Sequence, residues 1–477
     1  MVFAIVIAVY MVLILCIGVV TSRKQRKGDI GSFMTSGGGI GVLPAIALVV
    51  GANVAGSGTV GTVQAGYTTG MSAVWPQTVG AIGIFMGVGL GVTKFYRVMA
   101  LDGAISLPEA VGKFFSPRVR SAIAVITAFS FVGLFAIQPT AIAAILAPAF
   151  GWDFNTVMWV GGIFCIILAC TGGLKSISDT NVVHTVVMCV SLTVASILVV
   201  KNLGGGLGNV NRVLPASYMD PLALGWGTVG AYLATTVGFA LNALSLSPVF
   251  GCKNLKTAHR SLLISAVILT AFAFAITYIG MGGKAAGVDI AGADAIYAVT
   301  DLISPVLSAI VNVGVLAAIL STAPMLAMSA GSVISHDIYA SLINKSATPK
   351  QEVLVAKIVI VVIGVFAIII GTSIPSIMSG LMAAVQIVTV PSAIVFAAVV
   401  TGRIHESSAF WAILVSGTVS VVWYFLQSPF GIQPVWPSLA AAVVVIVPMM
   451  IHSKGRVYEN YTRYKERLAY YEQAGKL

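Results

Sequence analysis

Charge is scarce in this sequence. Only 9% of its 477 residues are Asp, Glu, Lys or Arg, whereas 58% are hydrophobic. Soluble globular domains carry about 25% charged residues, so this composition excludes an ordinary soluble protein. Apolar runs of about 18 to 25 residues, the length that crosses ~30 Å of hydrocarbon as a helix, recur along the whole chain. We therefore predict an all-α integral membrane protein.

Thirteen apolar runs predict about thirteen transmembrane helices. They lie at residues 2–21, 39–63, 69–93, 121–147, 155–172, 181–200, 225–250, 262–282, 303–335, 354–372, 376–400, 408–426 and 434–451. The first run lacks a basic leading segment and a small-residue cleavage site, so we expect it to be a retained span and not a signal peptide. The runs leave no room for a large soluble domain, which argues against a sensor fused to a signalling module.

The loop cations predict the orientation. Alternate loops, together with the segment after residue 452, hold 23 of the 26 Lys and Arg residues; the other three are Lys201, Arg212 and Lys284. Because such cations stay on the cytoplasmic side, an odd number of spans places the N-terminus outside and the C-terminus in the cytoplasm of a plasma or inner membrane. The net charge of +11 then reports topology and not nucleic-acid binding.

Two further absences narrow the function. The five cysteines form no CxxC pair, so we expect neither a disulfide nor a metal-ion site other than sodium. Asp and Glu are missing from the middle of every predicted span, where proton-driven carriers usually place carboxylates. No nucleophile and base stand at a usable spacing, and no ring of polar residues recurs, so we expect neither an enzyme nor a channel. The ionisable exceptions are His184 and nearby Asp179, for which a structural and a proton-coupling role both stay open.

Helix breakers suggest where a solute binds. The second predicted span carries Gly51-Ala52-Asn53-Val54-Ala55-Gly56-Ser57-Gly58 at its centre, and the seventh carries Asn242 to Pro248. Two interrupted helices five spans apart are typical of an inverted five-plus-five helix repeat with a midplane site; packing kinks are the alternative. The ninth span sets Ser321 and Thr322 just before Pro324. These hydroxyls either bond back to the preceding turn or join freed carbonyls to bind a hard cation.

Several motifs, in order, resemble the sodium/solute symporter family over about residues 35–410. They are Gly172 to His184 (GGLKSISDTNVVH), Cys252 to Arg260 (CKNLKTAHR), and Asp337-Ile338-Tyr339 followed by Ile343-Asn344-Lys345 and Ala347-Thr348. The resemblance implies a leucine-transporter-type fold with discontinuous second and seventh helices, and sodium-coupled uptake of a small organic solute by alternating access. The alternative is a proton-coupled carrier that uses His184 and Asp179. Two residues depart from the family: Asn181 stands where the family commonly has Asp, and Asn53 stands where some members have Asp near the ion path.

The resemblance also implies two sets of site residues. Sodium, the coupling ion, would bind between the second and ninth spans, at backbone oxygens of Gly51, Val54 and Ala318 and at the hydroxyls of Ser321 and Thr322. The implied substrate residues are Asn53, Ser57, Gly58, Trp75, Gln77, Thr78, Thr235, Phe239, Asn242 and Gln386. No charged side chain stands among them, which favours a small neutral, zwitterionic or monocarboxylate solute.

The predicted organisation follows from these assignments. Residues 1–38 hold a peripheral helix and a basic loop, 39–201 the first repeat, 202–400 the second repeat, 401–452 two peripheral helices, and 453–477 a basic tail. Tyrosines at near-helical spacing in that tail suggest an amphipathic helix at the membrane interface; a solvated helix is the alternative. Nothing in the sequence specifies an oligomer, and a monomer is compatible with this organisation.

Overall fold

A computed structural model describes residues 2–23, 30–171, 173–241, 248–289, 295–373, 377–452 and 456–477, and within these ranges the chain is almost wholly helical. The helices are α1 Val2–Arg23, α2 Ile30–Thr35, α3 Val42–Val54, α4 Gly56–Thr69, α5 Trp75–Gly89, α6 Val92–Leu101, α7 Leu107–Phe114, α8 Pro117–Phe150, α9 Phe154–Thr171, α10 Leu174–Leu198, α11 Leu207–Val213, α12 Ala216–Met219, α13 Gly225–Phe239, α14 Leu255–Ala285, α15 Ala295–Asp301, α16 Pro305–Ser332, α17 Pro349–Gly371, α18 Ile377–Thr401, α19 Glu406–Phe425, α20 Val435–His452 and α21 Glu459–Gln473. A π-helix, Val333–Ile343, continues α16.

Nine segments of the described chain are long and apolar enough to cross a bilayer. They are Gly56–Gly89, Pro117–Pro148, Phe154–Thr171, Leu174–Asn202, Leu255–Ala285, Pro305–Ile343, Pro349–Gly371, Ile377–Thr401 and Glu406–Phe425. Shorter apolar helices lie at Ile7–Thr21, Val42–Val54 and Val435–Ile451. The all-helical membrane fold is therefore confirmed, while the count of thirteen spans stays a prediction.

The contacts between helices in the first half of the chain recur in the second half, five membrane-spanning segments later. In the first half, α3 packs on α10 and α8 packs on α9; in the second half, α13 packs on α18 and α16 packs on α17 in the same way. The contact of α10 with α16 corresponds to that of α18 with α8. Helices at equivalent positions in the two halves therefore make equivalent contacts, as expected for a structural repeat.

The break in the second predicted span lies at Ala55, between α3 and α4. This residue has φ 40° and ψ 136°, a conformation that L-residues rarely adopt. The helix is therefore interrupted at Ala55, in the middle of an apolar segment. Of the corresponding break predicted at Asn242 to Pro248, residues 242–247 lie outside the described residues.

Two predicted loops are more ordered than the sequence suggested. The cation-rich segment 94–120 folds largely into α6 and α7, and the π-helix carries the ninth span on to Ile343. In the tail, α21 forms as predicted, but Tyr464 is buried against Phe95 and Phe114. Its aromatic face thus packs on the protein, where the sequence suggested a lipid interface or solvent.

Candidate functional site

Oxygen atoms from α3 and α16 meet beside the break. The Ser321 hydroxyl lies 3.2 Å from the Gly51 carbonyl oxygen and 2.7 Å from that of Ala318. The Thr322 hydroxyl also contacts the Gly51 carbonyl and lies 3.1 Å from that of Ala318. The two hydroxyls are 3.5 Å apart, and both side chains are buried. The structure therefore brings together two hydroxyls and two carbonyls that the family resemblance implies for a sodium site.

Bonding back along α16 does not account for the position of these hydroxyls. Their contacts with Ala318 are the ordinary bonds of Ser and Thr to the preceding turn. Their contacts with Gly51 cross to a residue 270 positions away in sequence. Both hydroxyls thus point at the end of α3, where the helix is broken and its carbonyls lose their usual partners.

Small residues and a buried amide hold the two helices close together. A Cβ atom added to Gly51 would lie 3.0 Å from Asn181 Nδ2 and 3.1 Å from the Ser321 Cβ. Asn181, on α10, donates from Nδ2 to the Ser321 carbonyl at 3.1 Å. The close approach of α3, α10 and α16 is what lets the Gly51 carbonyl reach both hydroxyls.

Val54 is the remaining residue of the implied sodium set, and its carbonyl has a different partner. Its carbonyl accepts a hydrogen bond from Gln77 Nε2 at 3.0 Å. Gln77, on α5, is buried, and a Cβ on Gly58 would lie 2.4 Å from its amide nitrogen. The carbonyl at the very end of α3 is therefore satisfied by a side chain of the neighbouring helix.

An internal cavity of about 40 Å³ adjoins this oxygen cluster. Its lining residues come from both repeats, and none of them is charged. They are Ala52, Asn53, Ala55, Pro76, Gln77, Leu134, Gln138, Phe239, Thr322, Leu326, Leu381, Met382 and Val385. Thr322 belongs to both the oxygen cluster and the cavity wall, so an ion and a solute would share a boundary there.

The structure gathers some of the implied substrate residues at this cavity and leaves others away from it. Asn53, Gln77 and Phe239 line it, while Ser57 and Gly58 contact the lining glutamines. Asn242 lies outside the described residues. The remaining four do not line the cavity. Trp75 bonds to the Pro221 carbonyl, Thr78 to that of Val74, Thr235 to that of Tyr232, and Gln386 accepts from the Val435 amide.

One lining residue was missed by the sequence analysis. Gln138 lies on α8, is fully buried, and donates from Nε2 to the Ser57 hydroxyl at 3.0 Å. It precedes Pro139 within a long apolar run. A polar residue before a proline inside a span is a signal that could have marked it.

The two residues of the proton-coupled alternative lie in other surroundings. His184 is fully buried, and its Nδ1 lies 2.5 Å from the Tyr10 hydroxyl of α1. Asp179 pairs with Lys175 at 2.7 Å on the same helix. Among the described residues, neither of them lines the cavity.

Comparison with known proteins decides the family. The model of the sodium:solute symporter family matches residues 33–416, which is most of the chain. The chain belongs to the sodium:solute symporter family. Sodium-coupled solute symport is accordingly its function, with sodium as the coupling ion, and the proton-coupled alternative is not favoured.

Relatives agree with this membership, and solved structures share the fold. The chain is 21% identical over 492 residues to a sodium/proline symporter of Escherichia coli, covering 98% of this chain and 96% of that protein. It is 22% identical over 390 residues to an osmoregulated proline transporter of Bacillus subtilis, covering 76% of each. A Na⁺-coupled sialic acid symporter in a substrate-bound outward-open state shares the fold with a TM-score of 0.78 at 18% identity, covering 95% and 97% of the two chains. MhsT, solved with L-phenylalanine, has a TM-score of 0.57 at 15% identity, covering 85% and 98%.

Proposed function

We propose that this symporter carries a small zwitterionic amino acid into the cell, with sodium bound between α3 and α16. The sodium ligands would be the carbonyls of Gly51, Val54 and Ala318 and the hydroxyls of Ser321 and Thr322. The observation that supports this most is the convergence of both hydroxyls on the Gly51 carbonyl. Carbonyl and hydroxyl oxygens suit a hard cation, and such a set needs no carboxylate.

The cavity supports the proposed class of solute. Its lining is apolar except for amides and the Thr322 hydroxyl, so a solute with a net charge would have no ionic partner. A zwitterion has no net charge and presents both donors and acceptors to amides. Two relatives are named for proline transport, which makes proline the natural first probe.

The shared position of Thr322 supports coupling between ion and solute. Sodium bound to its hydroxyl would fix the end of α3 against α16, and the same residue forms part of the solute cavity. Binding of either ligand would then order a boundary that the other needs, and such coupling is reciprocal. Alternating access would follow if the two halves open this cavity to one side at a time. We place the N-terminus outside and the C-terminus in the cytoplasm.

A sodium titration tests the ion site. Purified protein in nanodiscs is titrated with NaCl, with choline chloride keeping the ionic strength constant, and the thermal unfolding midpoint is recorded. Losing one hydroxyl ligand costs about 1–3 kcal/mol, so Thr322→Ala and Ser321→Ala should each weaken the apparent sodium affinity by roughly tenfold to a hundredfold. Ser332→Ala changes a buried hydroxyl further along α16 and should leave the affinity unchanged. Wild-type sodium dependence in both site variants would place the ion elsewhere.

A further inference from the structure

We propose that Gln138 selects the solute: its Oε1 atom accepts a hydrogen bond from an N–H group of the bound amine. This inference rests on the proposed function, because it assigns a recognition role within the same cavity. It also narrows the solute to molecules whose nitrogen carries a hydrogen.

Gln138 occupies a buried position on the cavity wall. It lies inside α8, one turn after Leu134, and both residues line the cavity. Its side chain is fully buried. The next residue, Pro139, has no amide hydrogen, so the backbone at this point already departs from regular helical bonding. A side chain held in this way presents its amide group in one place.

The neighbours of Gln138 determine which end of the amide faces which partner. Its Nε2 lies 3.0 Å from the Ser57 hydroxyl and 3.3 Å from the Leu134 carbonyl oxygen. The hydroxyl either donates or accepts, but the carbonyl only accepts. Turning the amide over would set Oε1 against the Leu134 carbonyl, two acceptors facing each other. The nitrogen therefore faces Leu134, and the oxygen is the atom directed elsewhere.

That oxygen has no hydrogen-bond partner among the described residues. Buried polar atoms almost always have a partner, so an unsatisfied acceptor on a cavity wall indicates a donor supplied from within the cavity. The other two amides of the lining are engaged at their nitrogens: Gln77 donates to the Val54 carbonyl and Asn53 to the Val49 carbonyl. Of the three lining amides, Gln138 is the one whose oxygen is buried without a partner among the described residues.

An ammonium group matches this acceptor best. Hydrogen bonds in which the donor is charged are shorter and stronger than neutral ones. No anionic side chain lines the cavity, so a neutral amide oxygen is the available partner for a cationic nitrogen. A buried acceptor also rejects analogues that lack the donor, since binding them leaves it unpaired. Gln138 would therefore discriminate by the presence of N–H and not by the size of the solute.

Three probes separate N–H from charge and shape. Equilibrium binding in saturating NaCl is measured for L-proline, for N,N-dimethyl-L-proline, which keeps the ring and both charges but has no N–H, and for tetrahydrofuran-2-carboxylate, in which oxygen replaces the nitrogen. Wild-type protein should bind L-proline about tenfold more tightly than either analogue, or more. Gln138→Leu should reduce that preference to within about threefold. Gln138→Glu, which as a neutral acid keeps an acceptor and a donor, should preserve it.

Asn312→Leu is the matched control. Asn312 is a buried amide on α16 whose Oδ1 also lacks a partner among the described residues, but it does not line the cavity. Its replacement should leave the preference for L-proline unchanged. A folded Gln138→Leu protein is recognised by an intact sodium-dependent rise in its unfolding midpoint; if it does not fold, the Gln138→Glu result decides.

The possible failures are distinguishable. Full preference for L-proline in Gln138→Leu, loss of it in a folded Gln138→Glu, or equal wild-type binding of the analogues without N–H would overturn the role of Gln138. So would a wild-type protein that responds to sodium but does not bind L-proline. A wild-type protein without any sodium response would instead contradict the proposed ion site.

Discussion

The guanidinium group of Arg120 lies 2.8 Å from the carboxylate of Asp337, which is fully buried. Arg120 lies in the first turn of α8, whereas Asp337 lies in the π-helix that extends α16. Ser106, the cap of α7, donates to the same carboxylate oxygen at 2.9 Å. The pair therefore ties the ends of the two core helices that carry Gln138 and Thr322 to each other and to the start of α7.

Arg120→Ala should destabilise the protein strongly. Removing one partner of a buried ion pair leaves an uncompensated charge and costs about 3–5 kcal/mol. Only 18% of the Arg120 side chain is exposed, so water would not replace the lost partner well. Equilibrium unfolding in mixed micelles measures the change. Arg463→Ala breaks an exposed pair with Glu459 and should cost less than about 1 kcal/mol; equal losses in the two variants would contradict this account.

Glu109 gives stability a dependence on pH. Burial opposes ionisation of this carboxyl group, but hydrogen bonds from His336 and from the Ile105 amide outweigh it and lower its pKa to about 2. A carboxyl group with a lowered pKa in the folded state stabilises the protein above its pKa in the unfolded chain. That contribution is lost as pH falls from about 4.5 towards 2.

Comparison with Glu109→Gln isolates this contribution. At pH 7 the variant should be less stable than the wild type, by on the order of 3 kcal/mol for a pKa shift of this size. As pH falls from about 4.5 towards 2, the wild type should lose its advantage and the two unfolding curves should converge. Thermal unfolding across this pH range measures the difference. A gap of constant size at all pH values would mean that the carboxylate charge is not the cause.

Gly51→Ala should impair the sodium site without removing any proposed ligand atom. The added methyl group would lie 3.0 to 3.2 Å from Asn181 Nδ2 and from the Cβ and Oγ of Ser321. The Ser321 hydroxyl must then move, so sodium affinity should fall by about tenfold. Gly227→Ala, on α13, meets no atom within 4 Å and should keep it. Unchanged sodium activation in Gly51→Ala would show that α3 and α16 need not approach closely.

The oxygen cluster of the proposed sodium site could be anticipated from sequence because its parts are local patterns. A glycine-rich break and two adjacent hydroxyls before Pro324 are both unusual inside apolar helices, and family likeness joined them. In contrast, the sequence does not show which neighbouring helix or cavity a single polar residue faces. Gln386 and Gln138 both stand alone in apolar spans, yet Gln386 faces the start of α20 while Gln138 faces the cavity. Only the packing of the helices determines which of them lines the cavity.

The tail is a second case in which a local sequence pattern predicts a helix but not its packing partners. Its helical spacing of tyrosines predicted α21, but periodicity does not say what covers the aromatic face. Asp102 accepts hydrogen bonds from Arg467 and Tyr471, and Lys94 pairs with Glu472 at 2.8 Å. These partners lie some 365 or more positions away in sequence, so no local pattern records them.

The break at Ala55 predicts that an alanine-to-glycine substitution has a smaller effect on stability at position 55 than at position 47. At φ 40° a side chain is disfavoured, so Ala55→Gly should relieve backbone strain of about 1–3 kcal/mol. Against this, glycine loses a buried methyl group and makes the unfolded chain more flexible, each at roughly 0.5–1 kcal/mol. The net change should lie between a loss of about 1 kcal/mol and a gain of about 2 kcal/mol. Ala47→Gly removes an equally buried methyl group from regular helix in α3, where no strain is relieved and the helix itself disfavours glycine by about 1 kcal/mol. It should therefore be the more damaging variant by about 1–3 kcal/mol, measured by equilibrium unfolding in mixed micelles. If both variants lose the same stability, the backbone at Ala55 is not strained, and the break in the second span must be held open by its neighbours alone.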